Sequence, residues 1–143
     1  MIIFTPNTVI RSTDVNSNFS ELKAKTDYLS APDSAWITVG TSGSSFVNSC
    51  VNYSGGYPEA AFRKDAFGYV HLKGLIKNGT AVDSTTMITM PTGYKVGSIR
   101  HIPSFGASGA GHIKLTTSGI AYGSGTGNGW VTLDNLSYFA ETV

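Results

Sequence analysis

Residues 68–79 read GYVHLKGLIKNG. Val70 and Leu72 alternate with His71 and Lys73, and a period of two predicts a strand with one apolar and one polar face. Asn78-Gly79 follows directly. Both positions tolerate positive φ, so the pair predicts a tight hairpin turn.

To either side of that stretch the same grammar recurs, in AWITV (35–39), FVNSCVNY (46–53), AAFRK (60–64), TTMITM (85–90), VGSIRHI (96–102), GHIKLTT (111–117) and GWVTLDNLSYFA (129–140). Each is short, rich in aromatic or β-branched residues, and bounded by Gly, Ser, Thr or Pro. The glycine-rich stretches 106–111 and 123–129 read as loops between strands. Many short strands at this spacing predict an antiparallel β-sandwich or a barrel-like domain. No internal repeat of fixed period occurs.

All 17 glycines of the 143-residue chain lie at or after Gly40. The glycine-free part holds the one convincing helix, from about Asp14 to Leu29, with Ser12 or Thr13 as cap and Pro32 as stop. Val15, Phe19, Leu22, Thr26 and Leu29 follow steps of four and three, which puts them on one stripe. The organisation expected is therefore an N-terminal arm and helix over 1–33, followed by a β head over 34–143. The fold class is mainly β.

A formal charge of +1, with no run of like charges, argues against an electrostatic grip on nucleic acid or anionic lipid. Cys50 is the single cysteine, which precludes an intramolecular disulfide and leaves no Cys/His zinc motif. No stretch approaches the roughly 18 apolar residues of a membrane span, and MIIFTPNTVIRSTD lacks the basic segment and long apolar run of a secretory signal. The expectation is a soluble product made in the cytoplasm, without membrane insertion.

Chemistry is sparse. His71, His101 and His112 sit in alternating strands and not in a ligand motif. Asp14-Val15-Asn16-Ser17-Asn18 opens like a calcium loop, but Phe19 stands where glycine is needed and Lys25 where a carboxylate is needed. GSGTGNG (123–129) passes into strand-like Trp130-Val131-Thr132, whereas a phosphate-cradling loop passes into a helix. Carboxylates are scattered and no serine carries a nucleophile-elbow pattern. The reading is of a non-enzyme without metal or cofactor. Tyr53, Tyr57, Tyr94, Tyr122 and Trp130, in or beside glycine-rich turns, are candidate residues for stacking on a sugar or anchoring a partner, or else they close the ends of the core.

Two parts of the chain carry a resemblance. FTPNTVIRSTDVNSNFSELKAKTDYL (4–29) resembles the N-terminal arm and helix of phage tail fibre, collar and baseplate-appendage proteins. FRKDAFGYVHLKGLIKNGT (62–80), MPTGYKVG (90–97) and GWVTLDNLSYFAE (129–141) are similar to the β heads of that family. The resemblance implies a homotrimer in the virion tail. The heptad-like stripe agrees with a helix that packs on symmetry mates, although two heptads are fewer than a coiled coil requires and the helix has the alternative of docking on its own sandwich.

Size favours a short arm plus one head over a shafted fibre. The first functional expectation is a structural collar or baseplate-associated element at the tail tip. Phe4, Val9, Ile10, Val15, Phe19, Leu22 and Leu29 would contact other copies, other tail-tip proteins or side fibres. The alternative is a receptor- or glycan-binding head, with Tyr94, Tyr122 and Trp130 meeting a host surface glycan or receptor.

Overall fold

Residues 69–77 form two strands, not one. A computed structural model describes residues 12–29, with the side chains of residues 15–23, and residues 35–141. The chain divides into two units, Met1–Pro32 and Asp33–Val143. In the first, helix α1 spans Ser12–Leu29. It opens two residues before the expected start, within the usual spread of helix ends. Val15 is half-buried, whereas Phe19 is 66% and Leu22 55% exposed. Phe4, Val9, Ile10 and the side chain of Leu29 lie outside the described residues.

The second unit is a two-sheet antiparallel arrangement. Its strands are β1 (Ile37–Thr38), β2 (Ser45–Phe46), β3 (Val51–Asn52), β4 (Ala61–Lys64), β5 (Tyr69–Lys73) and β6 (Leu75–Lys77), then β7 (Thr86–Thr89), β8 (Arg100–Gly106), β9 (Gly109–Leu115), β10 (Gly119–Tyr122), β11 (Val131–Thr132) and β12 (Ser137–Phe139). Four strands run in the order β1-β4-β5-β12, and eight in the order β2-β7-β10-β9-β8-β11-β6-β3.

Gly74 is the corner between the sheets. Its φ is +104°, a left-handed value that penalises any side chain. A Cβ there would also lie 2.5 Å from the Glu59 carbonyl oxygen and 2.6 Å from the Ala60 nitrogen. Its N–H donates to Asp134 Oδ1 at 2.7 Å, and its carbonyl accepts from the Leu133 N–H at 2.9 Å. The strand therefore crosses from the four-stranded to the eight-stranded sheet without losing its backbone partners. Val70, Leu72 and Ile76 stay inside, at 0%, 3% and 0% exposure. The alternation read from the sequence thus holds on both sides of a corner that the alternation does not reveal.

The core is one cluster. Phe62, Val70 and Leu72 come from the smaller sheet and Ile76, Met87, Ile88, Ile113, Leu115, Ile120, Tyr122 and Val131 from the larger one. Inward residues of two facing sheets meeting in this way make a sandwich interior.

Four local expectations are corrected. Asn78 and Gly79 do take positive φ, +66° and +83°, but make no hairpin: β6 pairs with β3 and β11, and β7 with β2 and β10. Turn residues set the local backbone, while strand partners are chosen by burial across the sandwich. FVNSCVNY breaks into β2 and β3 around Asn48 and Ser49, both at positive φ, and these strands end on opposite edges of the larger sheet. The strand expected over 96–102 runs instead over Arg100–Gly106.

The last of the four concerns 106–111, which is the tip of a hairpin and not a loop. Gly106 pairs with Gly109 across Ala107-Ser108. Gly106 and Gly111 are required because the backbone of 124–130 passes directly over them, where a Cβ would strike the Thr126 and Ser124 carbonyl oxygens. The stretch 123–129 does connect strands, joining β10 to β11.

Candidate functional site

The register places four side chains in one row across the outer face of the larger sheet. Thr132 pairs with Leu75, and Val131 with Gly106, so Phe105 lies beside Thr132. The Tyr53 N–H donates to the Leu75 carbonyl at 2.8 Å, which adds Tyr53 to the row. Ile76 and Val131 are fully buried, so their neighbours in sequence point outward.

Phe105, Thr132, Leu75 and Tyr53, with Tyr57 and Trp130, line a cleft of about 400 Å³. Tyr57 stands edge-on to Tyr53, ring centroids 5.2 Å apart. Lys77 Nζ lies 5.5 Å from the Tyr53 centroid, a cation over the rim of the cleft. Phe105 is 61% and Tyr57 56% exposed. Aromatic rings left open to water around one cleft suit stacking on the apolar faces of sugar rings, with Tyr hydroxyls and Thr132 to accept or donate at their edges.

Of the five aromatic residues singled out from the sequence, Tyr53, Tyr57 and Trp130 meet in the cleft, and Tyr94 and Tyr122 do not line it. Trp130 is half-buried and belongs to the cleft. Tyr94 packs edge-on against core Phe62, centroids 5.0 Å apart, with Lys64 Nζ 5.6 Å from its ring. Its carbonyl accepts from the Tyr138 hydroxyl at 2.7 Å, which fits a residue that closes the end of the core.

Tyr122 is a correction: it is 1% exposed, and its hydroxyl donates to the Asn78 carbonyl beside Cys50. Burial, with Cys50 next, pushes its phenol well above the usual range, and burial likewise raises the Cys50 thiol. It ties β10 to the Asn78-Gly79 turn and offers no face to a ligand. β10 escaped sequence reading because its alternation is large against small, Ile120 and Tyr122 against Gly119 and Ala121, with all four buried.

Phe105 went unread, and its meeting with Tyr53 and Tyr57 carried no sequence signal. Tyr53 and Tyr57 flank a Ser-Gly-Gly turn and Phe105 lies in a hairpin, some fifty residues away. Only the β8-β11-β6-β3 register unites them.

The histidines serve local structure. His71 Nε2 bonds Asp65 Oδ2 at 2.9 Å, and Asp65 Oδ1 also accepts from the Phe67 and Tyr69 N–H groups, each at 2.9 Å. Desolvation raises the Asp65 pKa, but those bonds together outweigh it and hold the carboxyl below its ordinary value. His101 and His112 stack, centroids 4.6 Å apart. Among the described residues no three metal-binding side chains converge, and no helix is long and apolar enough to cross a membrane.

No family model matches the chain, and no curated protein matches it significantly. Among solved structures, it is similar to the crystal structure of the receptor-binding protein gp15 of Listeria phage PSA, with 18% identity and a TM-score of 0.60 over 95% of this chain and 82% of that one. At that identity the likeness speaks for the fold: a helix followed by a mainly β body of the kind found in a phage receptor-binding protein.

Proposed function

We propose that this chain is a host-interacting protein of a phage virion tail whose β head binds a saccharide of the host surface through the aromatic cleft. The observation that carries the reading is the convergence of Tyr53, Tyr57, Phe105 and Trp130 on one open cleft. The fold shared with gp15 supports receptor binding over a purely structural collar, because gp15 is a receptor-binding protein. Residues 1–33 serve assembly, with Phe4, Val9, Ile10, Val15, Phe19, Leu22 and Leu29 as contacts to other copies or to neighbouring tail proteins, and 34–143 form the head. The protein acts as a homotrimer, a state that the spacing of the helix stripe and the exposure of Phe19 support. It is made in the host cytoplasm and ends in the virion.

An array of host envelope saccharides tests the cleft. Trp130→Ala is expected to weaken binding about tenfold or more, in line with about 1–3 kcal/mol for one lost aromatic stacking contact, with the thermal midpoint nearly unchanged. Equal binding by the folded variant would remove the cleft from the proposal.

A further inference from the structure

The smaller sheet carries a row of the opposite character. Ile37 pairs with Phe62, Arg63 with His71, and His71 with Ser137. Continuing that register puts Trp36, Arg63, His71 and Ser137 in one line across all four strands, on the face away from the buried Phe62, Val70 and Leu72. Lys73 is the next outward residue on β5, where it pairs with Ala61. These residues line a cleft of about 510 Å³ whose rim includes Asp134 and Asn135.

The charges have a definite arrangement. Lys73 Nζ lies 4.5 Å and Arg63 Cζ 5.1 Å from the Trp36 ring centroid. The ring quadrupole attracts each cation, while their like charge makes the two repel one another. An anion seated beside them lowers that repulsion and gains charge-assisted hydrogen bonds. Asp134 is committed through Oδ1 to the Gly74 N–H, which leaves Oδ2 as an acceptor in the same cleft as the Asn135 amide and the Ser137 hydroxyl. A bare anion meets repulsion from Asp134. A molecule carrying an anionic group at one end and hydroxyl groups at the other satisfies both halves.

We propose that this second cleft binds an acidic saccharide. Lys73 and Arg63 take its phosphate or carboxylate, and Asp134, Asn135 and Ser137 take its hydroxyls. The site is separate from the aromatic cleft and stands whether or not that cleft binds sugar.

The two tryptophans report the two clefts independently through their indole N–H signals in a ¹H–¹⁵N spectrum of the full chain. Titration with glucose 1-phosphate, with glucuronate and with glucose is expected to move the Trp36 signal saturably for one or both acidic probes, and at least tenfold more weakly for glucose. The acidic probe that binds more tightly identifies the anionic group. Lys73→Gln should weaken that binding about tenfold while the rest of the spectrum stays in place, and 0.5 M NaCl should weaken it severalfold.

The proposal is overturned if Trp36 responds to none of the probes, if glucose moves it as readily as the acids, or if Lys73→Gln binds as tightly as the parent. Inorganic phosphate that binds as well as glucose 1-phosphate would overturn its saccharide half. Movement of Trp130 alone, with all three probes, would sink this site and leave the aromatic one standing.

Discussion

The two outer faces of the head are built from the same stretch of chain and differ in kind. On the four-stranded sheet, β5 presents His71 and Lys73, one held by Asp65 and the other resting on Trp36. On the eight-stranded sheet, β6 presents Leu75, set among Tyr53, Phe105 and Trp130, and Lys77, over the Tyr53 ring. Odd-numbered residues point outward throughout 69–77, yet because the chain turns at Gly74 they decorate opposite sides of the sandwich. A single period-two pattern thereby supplies one cationic face and one aromatic face, and what distinguishes them is the company supplied by distant strands.

The most damaging change should be the one that removes the corner between the two faces. Gly74→Ala combines a left-handed backbone with a Cβ 2.5 Å from a carbonyl oxygen that cannot swing away. It should cost about 3 kcal/mol or more, read as a fall in the urea midpoint, and should degrade both faces together. A loss under about 1 kcal/mol, small on the usual scale of core substitutions, would mean that the two sheets are not joined rigidly at this point.

An intermediate effect is confined to the cationic side. Because the folded-state pKa of Asp65 is lowered, the unfolded chain binds the proton more tightly, so this group's contribution is present above the unfolded carboxylate pKa of about 3.9 and is lost as pH falls below it. Asp65→Asn should lower stability at pH 7 and flatten its fall between about pH 5 and pH 3. Urea titrations at several pH values give the slope. The Trp130 indole signal should not move, and if it does the two faces are coupled.

The head itself should feel Phe19→Ser in the helix least. Phe19 is 66% exposed, so the unfolding free energy of the head should change by no more than about 0.5 kcal/mol. Mass in solution should fall below that of three copies. Affinity for a soluble saccharide should stay the same, while adsorption to a surface drops as multivalency is lost. An unchanged mass would take Phe19 out of the assembly contacts.

How much of this was legible from the residues varies by position for physical reasons. The apolar face of 69–73 was readable because period-two burial is a local property, and the φ preferences of Asn78 and Gly79 are local as well. The hairpin inferred from them was not realised, because β6 found its partners near residues 51 and 131 instead. Trp130, beside its glycine-rich turn, does line a cleft. Tyr122 was misplaced, since a tyrosine before a glycine run reads as a loop residue until its hydroxyl is seen to reach Asn78. Neither Trp36 nor Lys73 carried any signal, because their proximity follows from the β1-β4-β5 register.

Residue order alone was enough to establish a glycine-free helical segment ahead of a turn-rich antiparallel body, with the alternation that sorts side chains inward and outward. Where the chain changes sheets, which strands become neighbours and which outward residues share a cleft emerged only from the packed molecule. Periodicity and φ preference act over a few residues. Strand pairing and the close approach of Gly74 to Glu59 and Ala60 are contacts between segments whose distance along the chain carries no information about their distance in space.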